Sequence, residues 1–340
     1  MEIVEIKEKS QYLEQWKIKK AHVLQHWAWG EVKRPTWNPT RVAFLDEKGE
    51  IIDVWQVLVK NQTPFAIRIA YLPKLRIDDI NNEKLELFAD FAKERLRVAF
   101  VLIEHNHTDP KIKNIPQTDY RIQPECSNVV DLKSEEDNWN NLKPKYRRNI
   151  NKAIRSGVVV RFFDSGDDPF RDFFYVMQEI HANTRLVMHD KTYFEKLWTE
   201  LSENGLARIA VAYLDNAVVG AYLLLNDENT TYELYGGVTS TGRESEAGYL
   251  LKWESMKMTL NKGLGFYDHW GVAPKDSLGE YQKGHELERI SKFKSGFGGK
   301  DVCYPKTNVL VFDDLKYRIF QAGMLVQKIN ISLRKIIKSS

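Results

Sequence analysis

The hydrophobic pattern along the chain switches repeatedly between a period of two residues and a helical period. Alternating apolar and polar residues between Gly, Asp and Asn turns predict antiparallel strands at 42–45, 51–59, 64–71, 207–213, 218–225 and 231–237. Apolar runs predict further strands at 98–104, 266–267 and 309–312, and a second series of elements starts at 129–132. Amphipathic spacing predicts helices at 8–20, 80–96, 143–155, 170–185, 247–262 and 315–340, and one more that begins near 188. This alternation predicts an α/β (α+β) fold.

Composition limits the class of protein. A chain of 340 residues is longer than one core usually serves, so we expect two domains. The balance of 50 basic against 47 acidic residues means that any nucleic-acid site must be a local patch. The two cysteines, Cys126 and Cys303, are far apart in the sequence and form no CxxC motif, so we expect neither a disulfide framework nor a zinc ribbon. We expect the protein to work in a reducing, cytoplasmic setting. No run is apolar enough for an export signal or a membrane span.

The stretch 264–299 carries the most distinctive chemistry. A short aromatic strand leads into Asp268-His269-Trp270-Gly271, and the stretch ends in Phe293-Lys294-Ser295-Gly296-Phe297-Gly298-Gly299. Glycines beside charges and aromatic rings indicate backbone that turns sharply or lies close to a ligand. A lysine between two phenylalanines attracts a phosphate or a developing oxyanion more strongly than an open surface would allow. The alternative is a glycine-rich hairpin with a surface lysine.

An aromatic-Asp-x-x-Gly turn followed by Phe-Lys-x-Gly-Phe-Gly-Gly resembles the signature of the Fem (FemABX) aminoacyltransferases. The resemblance implies two tandem GNAT-like (acyl-CoA N-acyltransferase-like) domains, each a mostly antiparallel central sheet flanked by helices. The first would span 1–128 and be completed by 311–340, and the second would span 129–310. The implied reaction moves an amino acid from aminoacyl-tRNA to an amine of UDP-MurNAc-pentapeptide or lipid II, in peptidoglycan cross-bridge formation. It needs no cofactor and no metal, and we expect a monomer.

The resemblance also assigns roles to residues. The catalytic set is Lys294, Phe293 and Asp268, with Lys294 stabilising the oxyanion and Asp268 either a base or the cap of its turn. The substrate-binding set is Trp29, Lys33, His189, Tyr193, Tyr235 and Gly271. Lys33 resembles a lysine that contacts the diphosphate of a nucleotide-sugar substrate, and His189 stands where the family usually has arginine. The alternative for Lys33 is an exposed lysine on a helix.

A basic helix is the candidate tRNA site. The window 143–155 contains six basic residues and no acidic one, and its apolar residues are spaced to form a buried stripe. The predicted phosphate contacts are Lys143, Lys145, Arg147, Arg148, Lys152 and Arg155. The alternative is a solvated basic face.

Three other interpretations of the sequence compete with aminoacyl transfer. His105 and His107 lack a recognisable third ligand, so we expect a polar strand end there and no metal site. A CoA-dependent GNAT enzyme would need a diphosphate-binding loop near 243–248, where this chain has two carboxylates. A catalytically silent tRNA- or envelope-binding protein is the third possibility. The basic residues after Asp314 indicate either packing of the last helix on the first domain or peripheral contact with the inner membrane face.

Overall fold

The fold is described from a computed structural model of the chain. The described residues are 1–62, 67–76, 82–106, 108, 115–184 and 188–337, with backbone alone at 62, 184 and 327–337. His107 and Asp109, which follow the predicted strand 98–104, lie outside them.

The predicted elements occur in the predicted order, and the structure adds several shorter ones that the hydrophobic pattern did not predict. The helices are α1 (Lys9–Ile18), α2 (Trp27–Lys33), α3 (Asn82–Phe91), α4 (Glu135–Asn141), α5 (Pro144–Arg155), α6 (Phe170–Thr184), α7 (Lys191–Glu203), α8 (Ser240–Glu244), α9 (Ala247–Asn261), α10 (Glu288–Lys294) and α11 (Asp314–Ile337). The strands are β1 (Glu2–Glu5), β2 (Asn38–Leu45), β3 (Ile51–Gln62), β4 (Ile67–Leu75), β5 (Phe100–His105), β6 (Gln117–Thr118), β7 (Cys126–Asp131), β8 (Val159–Phe163), β9 (Ala207–Leu214), β10 (Ala217–Asn226), β11 (Thr230–Val238), β12 (Phe266–Val272), β13 (Lys300–Cys303) and β14 (Thr307–Val311). A π-helical turn, Ala92–Leu96, extends α3.

The chain forms two compact units. Unit 1 consists of Met1–Trp16, Lys33–Arg121 and Lys306–Ser340, and unit 2 consists of Lys17–Val32 and Ile122–Pro305. The chain passes from unit 1 to unit 2 between residues 121 and 122 and returns to unit 1 between residues 305 and 306. Both points lie within about seven residues of the expected domain boundaries at 128/129 and 310/311. The segment Lys17–Val32 belongs to unit 2, whereas the Fem resemblance implied that it lies in the first domain.

Unit 1 is built on one mixed sheet. Its order in the described residues is β1-β2-β3-β4-β5-β14-β6, antiparallel except for the parallel pair β4–β5. Alternation along the strands buries one face against α3, where Trp55 packs edge-on against Phe44 and Phe88. On α11, Tyr317 and Phe320 contact Phe100 of β5.

Unit 2 repeats the arrangement with a sheet of order β13-β7-β12-β11-β10-β9-β8, in which β11 and β12 are parallel. Its main core lies between the sheet and helices α5 and α9. Helices α6 and α7 also pack on strands of this sheet. The continuous apolar sequence of β10 is explained by its burial in the middle of the sheet.

The two cysteines form a disulfide, which corrects the expectation drawn from their spacing. Strands β7 and β13 run antiparallel and place Cys126 directly opposite Cys303. The pairing is invisible in the sequence because the two residues are 177 positions apart and meet only through sheet formation.

Within the described part of the chain, no helix is long and apolar enough to cross a membrane.

Candidate active site

The parallel strands of unit 2 separate in the middle of the sheet. Strands β11 and β12 are paired at Thr230–Phe266, Thr231–Tyr267 and Tyr232–Asp268, and both strands continue past the last pair without further pairing to each other in the described residues. In unit 1 the equivalent pair β4–β5 shifts register between Leu72 and Leu75 but stays paired as far as Leu75 and His105. Only the sheet of unit 2 therefore opens between its parallel strands, among the residues the structure describes.

Both separating strands are irregular at this point. Glu233 faces Leu224 and Tyr235 faces Leu223, so Leu234 is an extra residue in β11. On β12, His269 and Trp270 together face a single residue of β7, and Trp270 has φ +59°. Such bulges re-aim side chains and are common beside active sites, and a bulky residue at positive φ must be held by its surroundings.

Lys294 provides part of that support. It lies at the end of α10, is 8% exposed, and donates to the carbonyl oxygens of Gly271 at 2.9 Å and Trp270 at 3.3 Å. Burial lowers its pKa to about 8, opposed by the charge of Glu233. An ammonium has three donors, so one remains beyond the two carbonyls. The burial of Lys294 excludes the surface-lysine alternative, and the predicted hairpin is a helix followed by a 3₁₀ turn at Ser295–Phe297.

Aromatic rings surround this end of α10. Phe293 packs edge-on against Tyr249 and Phe297, and Phe297 is fully buried against Tyr146. A Cβ at Gly296 would overlap the ring of Tyr146, so glycine is required there by close approach. The cation that lies over these rings is Lys252, whose ammonium is 5.6 Å from the Phe293 ring centroid and 5.7 Å from that of Phe297.

A buried polar network lies beside the opening, and sequence analysis missed most of it. Lys252 of α9 is fully buried, bonds the carboxylate of Glu233 on β11, and lies 3.2 Å from Nδ1 of His269. Tyr267 donates to the same carboxylate at 2.8 Å. Burial is the largest influence on the pKa of Glu233 and acts to raise it, but Lys252, His269 and Lys294 together outweigh burial and bring the pKa to about 2. The one signal in the sequence was a lysine inside the apolar run Leu250-Leu251-Lys252-Trp253.

His269 is held in one neutral form. Burial lowers its pKa to about 3, and the Lys252 ammonium acts in the same direction. Because Nδ1 faces that ammonium, Nδ1 accepts and the ring proton lies on Nε2. Nε2 is buried and has no hydrogen-bond partner among the described residues. A neutral imidazole with so low a pKa is a poor proton acceptor at neutral pH.

Asp268 acts as a cap. It is 3% exposed, and its Oδ1 accepts from the hydroxyl of Ser127 and from the backbone N–H of Trp270 at 2.6 Å. Of the two roles considered for Asp268, these contacts favour the turn cap over the base.

Three of the predicted substrate-binding residues come together in unit 2. Asp190 caps α7 by accepting from the N–H of Tyr193, which fixes the start of that helix. The hydroxyls of Tyr193 and Tyr235 are 3.5 Å apart, and the ring of His189 stacks on Tyr193 with centroids 3.9 Å apart. Burial, and then the neighbouring Tyr235, raises the pKa of Tyr193. The cluster presents phenol and imidazole groups, which suit polar, uncharged or anionic ligands.

The other predicted binding residues occupy different places. Trp29 is buried in unit 2, and Gly271 is packed against Pro124 and Leu287. Lys33 belongs to unit 1, where burial lowers its pKa to about 8 and the charge of Lys60 adds to the effect. Lys60, which sequence analysis did not single out, lies 4.3 Å from the Trp37 ring centroid. Burial lowers the pKa of Lys60 as well.

The predicted basic helix exists as α5, but its residues differ in role. Arg147 donates through Nη1 to the carbonyls of Trp139, Asn140 and Leu142 at the end of α4. Lys152 pairs with Glu246 at 3.2 Å. The remaining basic residues are exposed: Lys143, Lys145, Arg148 and Arg155.

A metal site finds no support in the described residues, where no group of three or more His, Cys, Asp or Glu is placed to hold an ion. His105 instead pairs through Nε2 with Oδ1 of Asn308 at 2.7 Å.

Comparison with known proteins gives three kinds of match. Residues 140–281 match the family described as an acetyltransferase (GNAT) domain. A lipid II:glycine glycyltransferase of Staphylococcus aureus (strain MRSA252) is 23% identical over 215 residues, covering 57% of this chain and 50% of that protein. The chain thus spans about half the length of the curated relatives it matches.

Among solved structures, FemX superposes with a TM-score of 0.78 at 18% identity, over 94% of this chain and 99% of that one. A tandem GNAT protein from the clavulanic acid biosynthesis pathway gives a TM-score of 0.54 at 12% identity, over 91% of this chain and 98% of that one. These matches confirm the predicted fold class, two tandem GNAT-like domains, and the resemblance to the Fem family.

Proposed function

We propose that this protein is an aminoacyltransferase that moves an amino acid from aminoacyl-tRNA to an amine of a peptidoglycan precursor, UDP-MurNAc-pentapeptide or lipid II. The observation that carries the proposal is the buried Lys294 ammonium at the opening between β11 and β12. The relatives named as lipid II:glycine glycyltransferases support the acceptor class. The tRNA donor rests on the Fem resemblance and on the exposed basic residues of α5.

The chemistry is the aminolysis of an ester. The acceptor amine attacks the carbonyl carbon, the carbonyl π electrons move to oxygen, and a tetrahedral intermediate with an oxyanion forms. Collapse of that intermediate breaks the bond to the ribose oxygen, which leaves with the proton that the amine loses. The third donor of Lys294 stabilises the oxyanion, and its low-dielectric surroundings strengthen that interaction. No enzyme nucleophile is required.

Binding of the acceptor is assigned to two places. In unit 1, Lys33 and Lys60 provide positive charge for a diphosphate. In unit 2, His189, Tyr193 and Tyr235 provide hydrogen-bonding groups for the polar part of the acceptor. The assignment of Lys33 follows the Fem resemblance, and Lys60 is added because its charge acts on Lys33.

The test is transfer of a labelled amino acid from charged tRNA to each acceptor in a reconstituted assay, with Lys294→Met as the key variant. Removing one donor to an oxyanion typically costs about 2.7–4 kcal/mol, so turnover should fall about 100- to 1000-fold while acceptor affinity stays nearly unchanged. Lys292→Met is the matched control, because Lys292 lies on the same helix, is largely exposed and pairs with Glu288.

Three results would count against the proposal. Near wild-type turnover of Lys294→Met would remove its catalytic role, and loss confined to acceptor affinity would make it a binding residue. Failure of the wild-type protein to transfer from any charged tRNA would leave a binding protein without activity.

A CoA-dependent acyltransferase is the second candidate, because the matched family is an acetyltransferase domain. Helix α9, which would receive a CoA diphosphate at its N-terminus, is preceded by Glu246 with φ +60° and no side-chain cap. A carboxylate there repels a diphosphate. Strong thermal stabilisation by CoA would favour this candidate over the first.

A further inference from the structure

The disulfide lies at the edge of the sheet of unit 2, and its two halves have different surroundings. Strand β13 is the first strand of that sheet and pairs with β7 alone among the described strands. Cys303, the last residue of β13, is exposed, whereas Cys126, the first residue of β7, is fully buried. A reductant in solution therefore approaches the bond from the side of Cys303.

The buried half of the disulfide lies beside the backbone that receives Lys294. On β7, Cys126 is in register with Val272 of β12. The next residue of β7, Ser127, is in register with Gly271, whose carbonyl oxygen accepts from Lys294 at 2.9 Å. The end of β7 that the disulfide fixes is thus the end that supports the candidate catalytic ammonium.

A small apolar core connects the disulfide to helix α10. Cys126 packs there with Ala273 and Tyr281. The backbone N–H of Ala273 donates to the hydroxyl of Ser291 on α10 at 2.8 Å. Tyr281 donates to the carboxylate of Asp301 on β13 at 2.9 Å. Movement of β7 or β13 would therefore be passed to α10 through side chains in direct contact.

Without the disulfide, strand β13 is held by non-covalent contacts. It is four residues long and lies at an edge of the sheet. Asp301 keeps its contacts with Tyr281, Asn128 and Lys275. A short edge strand opens more readily than a central strand, because fewer contacts oppose its separation. Reduction should loosen β13 and the paired end of β7 while the rest of unit 2 stays folded.

We propose that the Cys126–Cys303 disulfide is a reducible site that controls how firmly Lys294 is held, and that a dithiol is its reductant. One thiolate of the dithiol attacks the sulfur of Cys303, and the Cys126 sulfur leaves as a thiolate and takes up a proton. The second thiol of the reductant then breaks the mixed disulfide and releases Cys303. The dithiol is thereby oxidised to a disulfide, and both cysteines become thiols.

The oxidised protein is the more active form, because it holds the carbonyl oxygens around Lys294 in place. This link to activity rests on the proposed function. The exchange reaction and the loosening of β13 do not, so they are measured separately.

Hydrogen exchange with mass spectrometry, on the full chain before and after treatment with dithiothreitol, tests the loosening without donor or acceptor. Amide exchange in 126–131, 270–273 and 300–303 should become about tenfold faster on reduction, whereas exchange in β2 and β3 of unit 1 should stay unchanged. Turnover of the same samples in the transfer assay should fall about three- to tenfold, since Lys294 is then less precisely placed.

Cys303→Ser removes the bond at its exposed half. This variant should show the faster exchange and the lower turnover whether or not dithiothreitol is present. Lys300→Ser is the matched control, because Lys300 is an exposed residue of the same strand and its replacement leaves both cysteines in place. The control should respond to dithiothreitol as the wild type does. If Cys303→Ser does not fold, the comparison of oxidised with reduced wild type decides.

Three results would overturn the proposal. The first is that alkylation finds both cysteines as free thiols in wild-type protein treated with oxidised glutathione. The second is that reduction leaves the exchange rates unchanged, and the third is equal turnover of the two forms. A wild type that transfers nothing in either form, yet loosens on reduction, would remove the proposed function and leave the reducible site standing.

Discussion

Lys252 and Lys294 are both buried in unit 2, and they differ in what balances their charge. Lys252 bonds a carboxylate, that of Glu233. Lys294 bonds two backbone carbonyls, which carry only partial charges. A buried cation with partial compensation favours any additional negative charge placed beside it, whereas a fully paired cation does not. This difference makes Lys294 the group to test for catalysis and Lys252 the group to test for stability.

The pH dependence of turnover should identify the protonation state in which Lys294 works. Because its pKa is about 8, the ammonium is lost as the pH rises through that value. If the ammonium stabilises an oxyanion, the ratio of wild-type to Lys294→Met turnover should fall above about pH 8. A ratio that rises with pH would instead assign Lys294 as the base.

The profile is measured at saturating acceptor, because Lys33 also has a pKa of about 8 and would affect affinity in the same range. Taking the ratio of the two enzymes removes the titration of the attacking amine, which is common to both.

Lys252→Met should destabilise the protein strongly. The substitution leaves the Glu233 carboxylate buried without its cation, and breaking a buried pair from one side typically costs about 3–5 kcal/mol. The double variant Glu233→Gln/Lys252→Met removes both charges and should recover much of that loss. Urea denaturation measures both variants, and a single variant as stable as wild type would show that the pair contributes little to folding.

At the scale of elements, helix α5 carries basic residues in two different roles. One arginine binds the neighbouring helix, other basic residues are exposed to solvent, and their shared charge does not tell them apart. Arg147 closes the end of α4 through three carbonyls, at 2.8 to 3.3 Å. Arg148, the next residue, is exposed. A helix turns by about 100° per residue, so neighbouring arginines serve different surroundings.

Salt-dependent tRNA binding should distinguish these two arginines. Lys145→Glu/Arg148→Glu should lower tRNA affinity and reduce the slope of log affinity against log salt by about one per lost phosphate contact. Arg147→Glu should chiefly reduce stability, by about 1–3 kcal/mol, because the carbonyls of α4 lose their donor. Fluorescence anisotropy with tRNA measures the slope, and Lys7→Glu, an exposed residue of unit 1, is the control. An unchanged slope would place the tRNA elsewhere.

Most elements could be predicted from the sequence because each has a local signal. The two meanders, α5, α6 and α9 were predicted within a few residues, since their hydrophobic periods are regular. The parallel pairing of β11 with β12 was not predicted, because the two strands are separated by α8 and α9 and no local pattern reports their register. Helix α10 was hidden by the glycines that follow it.

The candidate site was predictable only in part, for a related reason. Lys294 stands in a recognisable sequence of glycine and phenylalanine. Glu233 of β11, which bonds Lys252, has no such signal, and Lys252 of α9 is marked only by the apolar residues beside it. Their burial comes from the packing of α9 on β11, which no local pattern in the sequence reports. Disulfide formation was missed in the same way, since Cys126 and Cys303 meet only in the folded sheet.

At the scale of the whole molecule, two similar units have different sheets. Both units bury a lysine paired with a carboxylate, Lys84 with Asp53 in unit 1 and Lys252 with Glu233 in unit 2. Unit 1 keeps its parallel strands paired, whereas unit 2 opens its sheet between them. A repeated fold of this kind allows one copy to become a scaffold and binding surface while the other carries chemistry. The proposed reaction accordingly belongs to unit 2.

The position of β14 has a consequence for the order in which the chain is made. Strand β14 lies between β5 and β6 in the sheet of unit 1, yet it follows all of unit 2 in the sequence. On the ribosome, β5 keeps an unpaired edge until residues 307–311 emerge, by which time the strands of unit 2 have all been synthesised. The sheet of unit 1 is therefore completed after that of unit 2, and until then the apolar edge of β5 is open to pairing with other strands.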